Sequence, residues 1–276
     1  MSSPSTWLIV GASRGIGLEF VRQLLDQGHQ VIAAVRNPAT ANQIWQLSAK
    51  QTRPGACLIE QCDVTDEASI DAFATRMGNL VSKGMRIENV VLNSGVLKYP
   101  NGYRNVQDKN HDAIVAFDPN VLTFVGIYRS FSDFALHLHT NTIGPILVAQ
   151  KVLNISSSAP PAKMIFISSD SGSTAEFRDH EDGFGAYGAS KAALNQMLRH
   201  MAAELKRKGG KWADVCVLAM HPGEVQTDMA NIEVDWEVEG IIDADESVTK
   251  MLKVIGEKDK SQSGTFWCWD GREYPW

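Results

Sequence analysis

Residues Thr6 to Leu24 read T-W-L-I-V-G-A-S-R-G-I-G-L-E-F-V-R-Q-L, and the order of chemistry along that stretch decides the fold. Trp7 to Val10 is an apolar run too short for a helix and closed by glycine, the pattern of a buried parallel strand. Gly11, Gly15 and Gly17 follow as G-x-x-x-G-x-G, after which Ile16, Phe20, Val21 and Leu24 recur at helical spacing up to Gly28. A strand that passes through residues without side chains into a helix offers backbone N–H groups and a positive helix end to a pyrophosphate. A dinucleotide is therefore expected here, although the glycine spacing departs from G-x-G-x-x-G.

Working outward, apolar runs and helical periods alternate. Strands are expected at Gln30 to Val35, Ala56 to Gln61, Glu88 to Asn93, Lys163 to Ile167, Asp214 to Met220 and Gly264 to Trp269. Helices are expected over Pro38 to Lys50, Ala68 to Val81, from about Phe131 to Leu153, onward from Tyr187, and over Val248 to Ile255. The alternation predicts an α/β fold of Rossmann type: a doubly wound parallel sheet of about seven strands, helices on both faces, ligands at the strands' carboxyl ends.

Several residues at those strand ends carry chemistry. The second strand closes on Val35 without an acid and Arg36 follows. An acid there binds the ribose 2′-hydroxyl of NAD and a base accepts the 2′-phosphate of NADP, so NADP(H) is expected over NAD(H), with Arg14 as a second cation. Asp63 either meets an adenine amine or caps the helix beginning near Asp66. Asn141 and Gly144 sit as N-T-I-G inside an apolar helix, where both are poor formers. Tyr187 and Lys191, four apart at the start of a helix, share a face.

Composition narrows the class. The chain has 276 residues, 44% of them hydrophobic and 21% charged, which suffices for a single well-filled domain over 1–276. A formal net charge of −6 argues against nucleic acid as a partner. No apolar run approaches about 18 residues, so no membrane span is expected. Met1 to Thr6 is polar and unlike a signal peptide, and a cytoplasmic location is expected. The four cysteines, Cys57, Cys62, Cys216 and Cys268, lack metal-ligand spacing and are expected reduced and buried; no metal is expected. The stretch 97–131, with Pro100, Gly102, Pro119 and Gly126, reads as an insertion whose run 121–128 forms an added strand or hairpin.

Four motifs in order resemble the short-chain dehydrogenase/reductase family: G-A-S-R-G-I-G at 11–17, L-N-S-G at 92–95, Ser169 with Y-G-A-S-K at 187–191, and H-P-G-E-V-Q-T-D at 221–228. The segments A-V-R-N-P after the second strand and D-G-R-E-Y-P-W at 270–276 look like its sniffer-like or C-factor-like carbonyl reductases. Departures are Val10 where many members have Thr, Ser94 where many have Asn or Ala, and longer stretches at 97–131 and 169–187.

The resemblance implies an NADPH-dependent reductase of a small or medium ketone or aldehyde. Tyr187 would be acid and base, Lys191 its electrostatic partner, Ser169 the carbonyl-orienting hydroxyl and Asn141 the holder of a proton-relay water. Making a phenol useful near neutrality asks for a downward shift of roughly 3 pKa units, about 4 kcal/mol, which a cation on the same helical face favours. The cofactor would lie along Gly11, Ser13, Arg14, Gly15, Ile16 and Gly17, then Arg36, Asp63, Val64, Asn93, Ser94 and Gly95. Tyr187 and Lys191 would meet its ribose, and Pro222, Gly223, Val225 and Thr227 its carboxamide. Residues 229–245 would form a substrate lid, with the acids of E-V-D-W-E-V-E at 233–239 disfavouring anionic substrates. The same site run oxidatively is an alcohol dehydrogenase, and a non-catalytic NADP(H)-binding regulator is the alternative of another class. Relatives imply a homodimer or homotetramer.

Overall fold

The apolar run Thr6–Val10 is the central strand β1, buried along its whole length, as a parallel strand covered on both faces must be. A computed structural model describes residues 4–98, 131–181, 183–230, 232, 236–238 and 240–276. The other strands are β2 (Gln30–Val35), β3 (Cys57–Gln61), β4 (Asn89–Leu92), β5 (Lys163–Ile167), β6 (Cys216–His221) and β7 (Thr265–Cys268). They form one parallel sheet in the order β3-β2-β1-β4-β5-β6-β7. The chain winds outward from β1 to β3, then crosses back to start again at β4. That reversal lies between β1 and β4, where Val10 is level with both Ala34 and Leu92. Loops diverge above such a switch point, and the cleft opens there.

Alternation along the strands builds two cores. Leu8 and Val10 face one side and pack with Phe73 and Met77 of α3 (Glu67–Ser82), Val148 and Val152 of α5 (Gly144–Ile155), and Leu194 and Leu198 of α6 (Gly185–Lys208). Trp7 and Ile9 face the other, against Phe20 and Leu24 of α1 (Gly15–Asp26), Ile44 of α2 (Asn42–Ala49), and Met251 and Ile255 of α7 (Ala244–Glu257). All four cysteines are buried and free, and burial pushes the thiols of Cys57, Cys216 and Cys268 up to about 11 and that of Cys62 to about 12.

Three expectations need correction. Pro38 to Lys50 is not one helix: Pro38–Thr40 is a short 3-10 turn and α2 follows it. Asp214 belongs to a 3-10 turn rather than to β6. The helix expected from Phe131 is α4 (Phe131–Leu138), a π turn at His139–Ile143, and then α5. The π turn contains Asn141, and Gly144 directly follows it as the first residue of α5. Gly144 is required because a β-carbon there would stand 2.1 Å from the Val64 carbonyl, and the extra residue per turn directs Asn141 inward, where it is fully buried. The expected strand or hairpin at 121–128, and nearly all of the 97–131 insertion, lie outside the described residues.

Candidate active site

The glycine turn, the ends of β4, β5 and β6, and the first turn of α6 converge on an open cleft of about 1180 Å³. Gly11 adopts φ +87°, and a β-carbon on it would lie 2.7 Å from the Ser94 amide nitrogen. Gly17 is held closer still: a β-carbon would lie 2.1 Å from the Gly11 carbonyl, and the Asn93 side-chain amide donates to that same carbonyl at 3.0 Å. Gly15 faces the methyl of Thr227, 3.4 Å from where its β-carbon would be. Gly11, Gly15, Gly17, Asn93, Ser94 and Thr227 are thus one cradle. Arg14 precedes α1 with extended backbone, no side chain caps the helix, and no acid occupies its first turn. The first N–H groups of α1 are left for an anion, and this donor set fits a dinucleotide pyrophosphate.

Arg14 and Arg36 are both exposed, and Arg14 lies 3.5 Å from Asp228. Ser13 is exposed and Ile16 lines the cleft. Asp63 turns inward to its own loop, accepting from the amide and hydroxyl of Thr65 at 2.9 and 2.7 Å, while Asp66 caps α3. Of the two readings left open for Asp63, the helix cap therefore falls to Asp66. Val64 is buried against Gly144. Gly223, at φ +84°, turns against Trp269, Pro222 accepts the Ser247 hydroxyl at 2.6 Å, and Val225 bridges to Ile242.

Tyr187 lies in the first turn of α6 and Lys191 one turn on, with its ammonium 5.7 Å from the phenol ring centre. Lys191 is buried, donates to the Ile167 carbonyl at 2.8 Å, and is pushed down to about 8 by desolvation. The expected downward shift of Tyr187 is not what the chain's own groups produce. Burial pushes the phenol up; the Ser169 hydroxyl acts in the opposite sense, and the carboxylates of Asp170, Glu224 and Glu181 add to the rise. Asn141 donates to the Val96 carbonyl and the Ser190 hydroxyl at 2.9 Å each and accepts from the Val96 amide at 2.7 Å. Beside it, a β-carbon on Gly95 would stand 3.5 Å from Asn141 and 3.8 Å from the Lys191 ammonium.

Four residues to which no role attached in the sequence complete the wall. Ser169 donates to Asp170 at 3.0 Å, Asp170 pairs with Arg178, and the Asp170 amide faces His221 Nδ1 at 3.3 Å. Arg178 also meets Glu181 at 2.6 Å and Glu224 at 4.0 Å. Burial disfavours the Arg178 charge, yet these acids outweigh it and its pKa rises. Burial, helped by Asp170, pushes Glu224 up to about 6, and burial lowers His221. The donor atoms of Asp170, His221 and Glu224 lie within 4.8 Å of one another, but Arg178 already supplies the cation they surround. His221 and Glu224 stand in the H-P-G-E-V-Q-T-D motif at 221–228 and Asp170 directly follows Ser169, but Arg178 and Glu181, in the connection to Tyr187, belong to no motif.

Over residues 5–238 the chain matches the model of the short chain dehydrogenase family. It belongs to that family. An uncharacterized oxidoreductase of Schizosaccharomyces pombe is 28% identical over 281 residues, covering 98% of this chain and 97% of the relative. The NADPH-bound carbonyl reductase from chicken fatty liver superposes with TM-score 0.79 at 29% identity, covering 99% of each chain. The carbonyl reductase Sniffer of D. melanogaster, at 22% identity, TM-score 0.73 and coverage of 99% and 100%, shares the fold. This short-chain dehydrogenase is accordingly an oxidoreductase that uses a nicotinamide cofactor. Among the described residues, no helix is long and apolar enough to cross a membrane.

Proposed function

We propose that this short-chain dehydrogenase is an NADPH-dependent carbonyl reductase in which Tyr187 delivers the proton. The observation that carries the reading is that Ser169 and Tyr187 line one cleft at the carboxyl edge of the sheet, with the buried Lys191 ammonium 5.7 Å from the Tyr187 ring centre. The cofactor, when bound, supplies the hydride. Ser169 orients the substrate oxygen and donates to it as charge develops, a preorganised donor of the oxyanion-hole kind. Lys191, charged below about 8, favours the phenolate that remains once Tyr187 has given its proton. Asn141 completes the set at the proton-relay end, beside Gly95 and the Lys191 ammonium.

The upward shift of Tyr187 keeps it protonated at neutral pH, the state from which reduction starts, but makes it a weaker acid, so its proton transfer depends on Lys191 favouring the phenolate that remains. NADP(H) is favoured by Arg36 and Arg14 and by the lack of an acid at the end of β2.

The cleft, lined by the described residues of the expected lid at 229–245 such as Met229, Ile232 and Ile241, suits a neutral substrate; the expected acids at 233, 235 and 239 lie outside the described residues. Phe184 packs edge-on to Tyr187 and to Trp236, with ring centres 6.0 and 5.6 Å apart, giving an apolar wall. Opposite, three carboxylates surround one guanidinium and disfavour an anion.

Consumption of NADPH with a panel of neutral aliphatic and aromatic ketones and aldehydes tests the reading against Tyr187→Phe. Loss of the proton donor should lower kcat by about 10²- to 10⁴-fold. Wild type and variant equally active, or equally inert, would defeat it.

A further inference from the structure

After β7 the chain turns back on itself. The Cys268 amide donates to the Arg272 carbonyl at 2.8 Å, Trp267 bridges antiparallel to Glu273, and the Tyr274 amide donates to the Phe266 carbonyl at 2.7 Å. The next residues then cross to the loop that joins Ser169 to Tyr187. Pro275 accepts the Ser173 hydroxyl at 2.8 Å. The main-chain oxygen of Trp276 accepts the Ala175 amide at 3.0 Å and the Thr174 hydroxyl at 3.3 Å.

Three aromatic contacts fix this crossing. The Trp276 ring stacks on Phe266 of β7 at 5.5 Å and 27°, and the Arg199 guanidinium of α6 lies 6.0 Å from its centre. The Tyr274 ring is 5.3 Å from Phe266 and 6.4 Å from the His221 ring at the end of β6. His221 Nδ1 accepts from the Asp170 amide, and Asp170 holds the Ser169 hydroxyl. Residues 274–276 therefore touch β7, β6, α6 and the serine loop at once; α6 carries Tyr187, and the serine loop leaves β5 at Ser169.

Besides the Asp170 amide on His221 and Arg178 near Glu224, two further sets of contacts hold the serine loop. Its first turn is tied to α6, where the Asn195 side-chain amide donates to the Gly172 carbonyl at 3.1 Å and Gly172 rests on Lys191. Beyond Gly172, the hooks at Ser173, Thr174 and Ala175 are all made to Pro275 and Trp276. A connection this long is free to shift unless something outside it fixes its position.

We propose that residues 274–276 are a positioning strap that sets the Ser169 hydroxyl against Tyr187. The role rests on the carbonyl-reductase reading, since it supposes that Ser169 serves the reaction. Misplacement of a reacting group by about 1 Å costs on the order of 10²-fold in rate, so a loosened loop shows in turnover before it shows in cofactor binding.

The test compares Trp276→Ala, Trp276→Phe and Ser173→Ala with wild type, alone and combined with Ser169→Ala. Amide exchange over 173–176 reports the loop, fluorescence titration reports NADPH affinity, and kcat and KM are measured on a neutral ketone. Trp276→Ala should speed exchange at 173–176 and lower kcat about tenfold with NADPH affinity unchanged, and Trp276→Phe should restore most of both. In the Ser169→Ala background Trp276→Ala should cost nothing further. Equal losses in both backgrounds, or faster exchange with kcat unaltered, would overturn the strap. If Trp276→Ala does not fold, Ser173→Ala carries the same comparison. An inert wild type is seen before any variant is made; it removes the reductase reading and the strap's role with it.

Discussion

Asp170 accepts the hydroxyl of Ser169 at 3.0 Å while its other oxygen pairs with Arg178. The Ser169 hydroxyl, which the proposed reaction turns toward a substrate oxygen, is thus parked on a carboxylate, and Arg178 reduces the pull of that carboxylate by sharing its charge. Removing Arg178 leaves Asp170 buried beside Glu181 and Glu224 with their common cation gone. Arg178→Gln should lower stability by about 3 kcal/mol in chemical denaturation, the cost of breaking a largely buried pair, and should lower kcat more than it raises KM. An unchanged denaturation midpoint would show that the acids do not depend on Arg178.

Lys191 gives a pH dependence with a definite sign. Its folded value is pushed down to about 8 from an ordinary 10.5, so between those values the unfolded chain holds a proton that the folded chain has released. Stability should therefore rise with pH from about 8 to about 10.5, where the cost of burying an ammonium is relieved. Activity should move the opposite way, falling as pH rises through about 8 and Lys191 loses its charge. Thermal unfolding of wild type and Lys191→Met across this range checks the first statement: the variant should lack the rise.

Much of this was legible in the sequence because strand-ending glycines and one-turn spacings are local. G-x-x-x-G-x-G placed the cradle, and Tyr187 with Lys191 placed the pair on α6, since four residues along a helix fix a shared face. Part of the network was legible, since His221 and Glu224 stand in the H-P-G-E-V-Q-T-D motif, but its link was not: Arg178, in the connection from Ser169 to Tyr187, joins Asp170 to Glu224 with no spacing to announce it. The phenol's direction was missed for a related reason. The helical neighbour argued for a downward shift, but burial and three carboxylates from elsewhere in the chain outweigh it. The π turn was visible only as Asn141 inside an apolar helix; the close approach of the Val64 carbonyl to Gly144 just after it is a tertiary contact that no local pattern announces.

Gly172 lies where the serine loop meets α6. A β-carbon there would stand 2.7 Å from the Lys191 β-carbon and 2.8 Å from its carbonyl carbon, closer than such atoms pack. Backbone rather than a flexible side-chain tip blocks the space, so loop and helix must separate. Gly172→Ala should cost about 1–3 kcal/mol as an overpacking substitution, read from the denaturation midpoint, and should lower kcat with it. Gly256→Ala, where a β-carbon meets nothing within 4 Å, is the control and should leave both nearly unchanged.

On the NADPH reading proposed above, Arg36 sets the choice between the two nicotinamide cofactors. β2 ends on Val35, no acid follows, and Arg36 is exposed, while Arg14 is shared with Asp228. A charge-assisted bond to a 2′-phosphate is worth about 1.5–3 kcal/mol, or roughly 10- to 100-fold in affinity. Arg36→Leu should therefore weaken NADPH binding by about that factor and leave NADH binding unaltered, as measured by titration of the protein with each. Because the site is exposed, the wild-type preference for NADPH should shrink as ionic strength rises. Asp228→Asn, which frees Arg14, should tighten NADPH slightly. Equal losses for the two cofactors in Arg36→Leu would mean that Arg36 acts on the fold of the β2 end and leaves the phosphate to another group.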